Sequence, residues 1–314
     1  MKKFAWIILL FVVVSTLASC LGAKEVVVIE KLTPLQYGNK LSSSVQDLFT
    51  PKYTGDALFS SYDIYEKNGM GERTVEVSGK KQVVSYDYSR KSDDLSYVLD
   101  DYSYVNGTNT VFATYRSDTK QLMRYETLSE ERNRAYQSSV NPDSSETEYL
   151  AYAKEIFLRY AGVSVEGWDV RIQTLWGEDQ RRTDGFLNYS HENPRYNAEY
   201  EFTYSKTISG IERCDLMSLR ITNVGEILAF DAENSDKAFA PFENAELDRE
   251  KIENAVWVVF GSVRSMHYGI TSSEISGIKL IAKDGSLWAH VRVVYQIDVA
   301  QGSLIYVIKV AEKK

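Results

Sequence analysis

The chain is poor in cysteine, histidine and proline: 314 residues hold two cysteines, three histidines and five prolines. Two cysteines, Cys20 and Cys214, cannot build a disulfide framework, so the fold has to rest on its core. His191, His267 and His290 lie far from one another and from either cysteine, so zinc-ligand spacing is missing and no metal or other cofactor is expected. No glycine-rich phosphate loop and no nucleophile elbow occurs. Positive charge is also in deficit, with 36 basic against 44 acidic side chains and a net charge of −8. An acidic chain without a basic block is a poor partner for nucleic acid, and anionic lipid would repel it. With 44% hydrophobic residues the chain should nonetheless fold.

The one long apolar run stands at the start. Lys2 and Lys3 precede a stretch from Phe4 to Leu17, and Ala18 and Ser19 then lead to Cys20. Charged, apolar and small-residue regions in that order read as a secretory signal peptide. The run falls short of the roughly 20 residues that a spanning helix needs. Leu17-Ala18-Ser19-Cys20 resembles the lipobox of bacterial lipoproteins, in which the cysteine is acylated and becomes the mature amino terminus. The resemblance implies a signal peptide at 1–19 and a lipid anchor, palmitate-type chains on Cys20, at the extracytoplasmic face of the cell membrane, or the outer membrane if the cell has one. Each buried methylene adds about 0.8 kcal/mol to such attachment. An ordinary signal peptide with an incidental Cys20 is the alternative. Loss of the leader leaves 34 basic against 44 acidic side chains. With Cys20 acylated, no disulfide forms within the chain, and Cys214, in the strand-like "GIERCDLMSLRIT", is expected to be buried and inert.

The remaining length asks for two or three modules. Residues 20–55 read as a lipidated tether, although "EVVVIE" could add an edge strand. A tyrosine-rich, sheet-forming module is expected over 56–135, with hairpins turning at Ser78-Gly79 and at Asp118-Thr119-Lys120. A helix-plus-sheet module follows over 140–235. Ser145 and Glu148 have capping-box spacing, Tyr149, Leu150, Ala153, Ile156, Phe157 and Tyr160 recur at helical spacing, and Gly162 supplies the stop. Then "WDVRIQTLW" and "YNAEYEFTYS" alternate as strands, the latter with Tyr200, Phe202 and Tyr204 on one face and Glu199, Glu201 and Thr203 on the other. A hairpin turns at Asn223-Val224-Gly225. A second helix-plus-sheet module is expected over 245–314, its helix capped by Asp248 and its strands joined by turns at Asp284-Gly285 and Gln301-Gly302. The expected class is α+β, with antiparallel sheets each packed by an amphipathic helix. One large sheet wrapped by both helices is the alternative arrangement.

"AEYEFTYSKTISGIERCDLMSLRITNVGEILAF" is similar to PepSY-like modules of extracytoplasmic bacterial proteins, through Tyr200, Phe202, Tyr204, Gly210, Ile211, Leu219, Ile221, Gly225, Glu226 and Ile227. The resemblance implies repeated cystatin-like units with inhibitory, sensory or binding roles, and it carries over no catalytic residue. A probable partner on this basis is another envelope protein, such as a peptidase or sensor kinase.

The chemistry-bearing candidates are few. The polar stretch "GEDQRRTDGFLNYSHENPR" is long for a connection, and Arg181, Arg182, Asp184, His191 and Glu192 could line a binding surface or an ordinary solvated loop. Cys214 with His191 or His267 would be the pair for an envelope enzyme, although no local pattern supports it. His290, alternating with Trp288 and Arg292, reads as a sheet-surface histidine. The pairs Asp93-Asp94 and Asp100-Asp101 lack the pattern of a calcium loop and read as solvated. Twenty-two tyrosines could line a groove for a peptide or sugar carrier, or could simply suit half-exposed strands.

Overall fold

The structure is a computed structural model that describes residues 26–40, 63–91, 97–107, 109–128, 136–176, 198–266, 269–297 and 300–313. In chain order the strands are β1 (Val26–Val28), β2 (Leu35–Lys40), β3 (Asp63–Tyr65), β4 (Glu72–Val77), β5 (Lys80–Lys91), β6 (Val98–Asn106), β7 (Asn109–Arg116) and β8 (Leu122–Thr127). Helix α1 (Glu146–Ile156) runs into a π turn (Phe157–Ala161). Then come β9 (Asp169–Trp176), β10 (Ala198–Ser205), β11 (Thr207–Ile208), β12 (Ile211–Arg213), β13 (Met217–Thr222) and β14 (Ile227–Asp231). A short helix α2 (Asp236–Phe239) and the long α3 (Arg249–Met266) precede β15 (Ile270–Lys283), β16 (Ser286–Ile297) and β17 (Ala300–Lys313).

The class is α+β, mostly sheet. The described strands form two sheets. Ten of them run in the order β3-β5-β6-β7-β8-β14-β13-β10-β9, with β4 also on β5. The seam is β8 against β14, where Tyr125 faces Phe230. One sheet therefore runs through both the tyrosine-rich stretch and the middle helix-plus-sheet stretch. Seven strands form the second sheet, in the order β1-β17-β16-β15-β12-β11, with β2 also on β17. The stretch read as a tether thus contributes strands: Val26–Val28 pair with β17, in line with the edge strand that "EVVVIE" could add.

Local signals explain the helices. Ser145 accepts from the Glu148 backbone N–H while the Glu148 carboxylate accepts from Ser145, closing the capping box. Gly162 ends the π turn at φ 65°, a conformation side chains resist, and a Cβ there would also strike Gln121. Tyr149, Tyr152, Ala153, Ile156 and Phe157 bury one face of this helix against the first sheet, with Phe157 edge-on to Tyr204. Asp248 caps α3 by accepting from the Lys251 backbone N–H, and Ile252, Val256 and Phe260 pack on the second sheet.

The turns at Ser78-Gly79 and Asp284-Gly285 form as expected, with positive φ at all four residues. The turn expected at Gln301-Gly302 does not. Both residues lie inside β17, opposite Gln296 and Tyr295. Gly302 is there for space, since a Cβ would meet the Tyr295 ring at 2.5 Å. "GIERCDLMSLRIT" is likewise not one strand. The chain leaves β10, makes the small β11–β12 hairpin on the second sheet, where β12 runs parallel to β15, and returns to the first sheet as β13. Cys214 sits on that crossing. Its backbone N–H donates to the Leu280 carbonyl and its side chain is exposed, which corrects the expectation of a buried thiol. His290 also departs from expectation. It lies on β16 with both faces of the strand buried, and only 3% of its surface is exposed.

Candidate functional site

Leu17, Ala18, Ser19 and Cys20 lie outside the described residues, as do Arg181, Arg182, Asp184, His191 and Glu192. The structure brings other residues together.

The helix α1 and its π turn cover one face of the ten-stranded sheet and leave the other open. Strand register sets a single row across that open face: Tyr88, Asp101, Thr114, Arg124, Asp231, Ser218, Thr203 and Arg171 are successive cross-strand neighbours. A second row carries Ser103, Phe112, Glu126, Ala229, Arg220, Glu201 and Gln173. Acidic and basic side chains alternate along both. At one end of the open face is an apolar patch. Val105 lies two residues from Ser103, Phe112 pairs with Ser103, and Leu128 donates its backbone N–H to Thr110 between them. Val83 belongs to the same patch on β5, and the four are 39–67% exposed. Single exposed apolar residues are ordinary, whereas a contiguous group rimmed by charge marks a contact surface.

The other end of the open face is held by Arg90, which is nearly buried. Its Nε donates to Asp101 Oδ2 at 2.7 Å, and its Nη1 donates to Glu233 Oε2 at 3.1 Å with a closer Nη2 contact to Oε1. Thr114 Oγ1 donates to the second Asp101 oxygen at 2.5 Å. Burial and the neighbouring Glu233 carboxylate push Asp231 up from the usual carboxylate range, and the third of its side chain that water still reaches damps the rise. Arg90 and Glu233 are 143 residues apart, so no local spacing points to them.

Two further polar clusters lie inside. Asp100, read as solvated, is 1% exposed. It accepts from Lys67 Nζ at 2.6 Å and from Ser89 Oγ at 2.7 Å. Burial works to raise its pKa, but the hydrogen bonds from Lys67, Ser117 and Ser89 outweigh that and hold it below the usual range. Lys67 also meets Ser117 Oγ at 2.7 Å. A serine beside a lysine resembles a nucleophile and its base, but the Asp100 carboxylate claims this ammonium, so the contact reads as structural. Between the two sheets, Arg213 is 1% exposed. It donates to both Asp215 oxygens at 2.8 and 2.5 Å and meets Asp236 at 2.8 Å, with the Phe239 ring 4.1 Å and the Trp168 ring 5.3 Å from the guanidinium. Asp215 also accepts from the Ser235 backbone N–H. Among the described residues no group of three or more His, Cys, Asp or Glu is placed to hold a metal ion.

No protein-family profile matches the chain and no curated protein matches it. Among solved structures, the Bacillus megaterium YpeB C-terminal domain overlays 87% of this chain and 99% of its own, at 9% identity and a TM-score of 0.28. An overlay that loose carries no argument about this chain.

Proposed function

We propose that this chain is a lipid-anchored, extracytoplasmic protein of PepSY-like modules that works by docking another envelope protein. The observation that carries the docking half is the contiguous patch of Val83, Val105, Phe112 and Leu128, rimmed by the alternating charges of an otherwise polar sheet face. Protein contact surfaces place an apolar core, enriched in aromatic residues such as Phe112, within a polar rim. The tyrosines favour the same reading over a carrier. Tyr102, Tyr115, Tyr125, Tyr149, Tyr152, Tyr204 and Tyr306 are spent in the two cores, so they do not line a ligand groove. No helix among the described residues is long and apolar enough to cross a membrane. Attachment therefore rests, in this reading, on acyl chains at Cys20.

Crosslinking in native membranes tests the docking surface. The doubly substituted Val105→Asp, Phe112→Asp chain is expected to capture its partner at least tenfold less than the unaltered chain, with an unchanged thermal unfolding curve because both side chains are exposed. Equal capture by both would move the docking site elsewhere. The anchor has a separate measurement. Cys20→Ala is expected to accumulate as precursor that takes up no labelled palmitate, and labelling equal to that of the unaltered chain would refute the anchor.

A further inference from the structure

We propose that β9 is a self-pairing edge, through which two copies of this chain join their ten-stranded sheets by an antiparallel β9–β9 contact about a two-fold axis at Ile172. An edge strand exposes a row of unpaired backbone donors and acceptors, and folded proteins guard it with short strands, bulges, proline or charged side chains, lysine above all. The other edges here follow that rule. β3 and β1 have three residues each and β11 has two, β2 ends on Lys40, and β4 carries Glu72, Arg73 and Glu76 among its six residues. β15, whose far side pairs with β12 only at Lys279 and Leu280, has two register shifts in its ladder with β16. β9 is neither short nor shifted, and it carries charge only at Asp169 and Arg171. It pairs with β10 over eight consecutive residues without a shift, and "DVRIQTLW" contains no proline, glycine or lysine. Among the described residues nothing pairs with its far side.

The side chains of β9 match that reading. Val170 is 38% exposed although it stands on the core-facing side of the sheet, and Ile172 beside it is only partly buried. Helix α1 reaches Tyr200 on β10, and its π turn reaches Tyr204 there. An apolar margin is left past that cover. A second β9 would cover it. Its residue types also suit an axis at Ile172. In that register Ile172 meets its own copy, Val170 meets Thr174, and Arg171 meets Gln173, so no like charges stand directly opposite. An axis at Arg171 would set two guanidiniums face to face. The contact is isologous and closed, so it gives a dimer in which both β9 edges are used up.

Cysteine crosslinking in the membranes of producing cells tests this, using the full chain with Cys214→Ser and Cys20 left in place. Under mild oxidation Ile172→Cys is expected to give a disulfide-linked dimer. Arg171→Cys co-produced with Gln173→Cys is expected to link at least tenfold more than Arg171→Cys alone. Leu158→Cys, exposed on the π turn, is the collision control and should stay monomeric. Adding Val170→Lys should abolish the Ile172→Cys dimer while leaving the unfolding curve in place. The proposal is overturned if the Ile172→Cys chain stays monomeric, if Leu158→Cys links equally well, or if Ile172→Cys links to a polypeptide of another mass. This contact uses neither Val105 nor Phe112, so its failure leaves the docking patch standing.

Discussion

Arg213→Ala is expected to lower the stability of the chain by about 3–5 kcal/mol, the usual loss when one partner of a buried ion pair is removed. The reason is the company left behind. Asp215 keeps only 7% of its side-chain surface in water and would lose both guanidinium hydrogen bonds. Asp236 would retain Lys206, whose Nζ lies 3.0 Å away, so the damage concentrates on Asp215. The Trp168 and Phe239 rings would lose the cation that both approach. Arg213→Lys should recover part of the loss, because an ammonium restores the charge without the two-pronged fork. Denaturant unfolding measures this directly. The midpoint is expected to fall. A loss below 1 kcal/mol for the alanine chain would mean that the joint is held by packing alone.

The second large effect is acid sensitivity from His290. Burial, helped by Arg292 beside it and Lys279 across from it, pushes the imidazole down to about 4. The unfolded imidazole takes its proton near the ordinary value of about 6.5. Between those two values the unfolded chain holds more protons than the folded one, so stability is complete above about 6.5 and falls as the pH drops through the window. Two and a half pH units amount to roughly 3 kcal/mol. Below about 4 Asp100 adds to the loss, because its folded pKa is also depressed. Asp231 works in the opposite sense: its raised carboxyl favours the folded state in acid and loses that contribution as the pH rises. Replacing His290 with glutamine is expected to flatten the fall between pH 6.5 and 4 while leaving the deeper acid limb. Superimposable pH–stability curves for the two chains would show that the imidazole is more hydrated than its burial indicates.

Much of the local structure is legible in the residues because its causes are local. The Ser145–Glu148 box, the Gly162 stop, the Ser78-Gly79 and Asp284-Gly285 turns and the alternation of Tyr200, Phe202 and Tyr204 each depend on neighbours a few positions away. Which strands share a sheet does not. The β8–β14 seam joins residues about a hundred positions apart, and the β11–β12 excursion interrupts a run that reads as one strand. His290 defeats the alternation argument for a related reason. A polar residue on every second position implies a wet face only when that face is open, and both faces of β16 are buried. The charged rows on the open sheet escape a linear reading altogether. Asp101, Thr114, Arg124 and Asp231 stand side by side through register, which no spacing along the chain encodes.

The pairing of β1 with β17 sets an order of assembly. Val26 meets Lys313, so the first described strand finds its place only after the last described strand has emerged. Closing a loop of that span is slow compared with forming the hairpins inside it. During synthesis the first described strand must therefore wait unpaired, and its valines are a liability for as long as the wait lasts. A chain stopped a few residues early would leave that strand waiting for good.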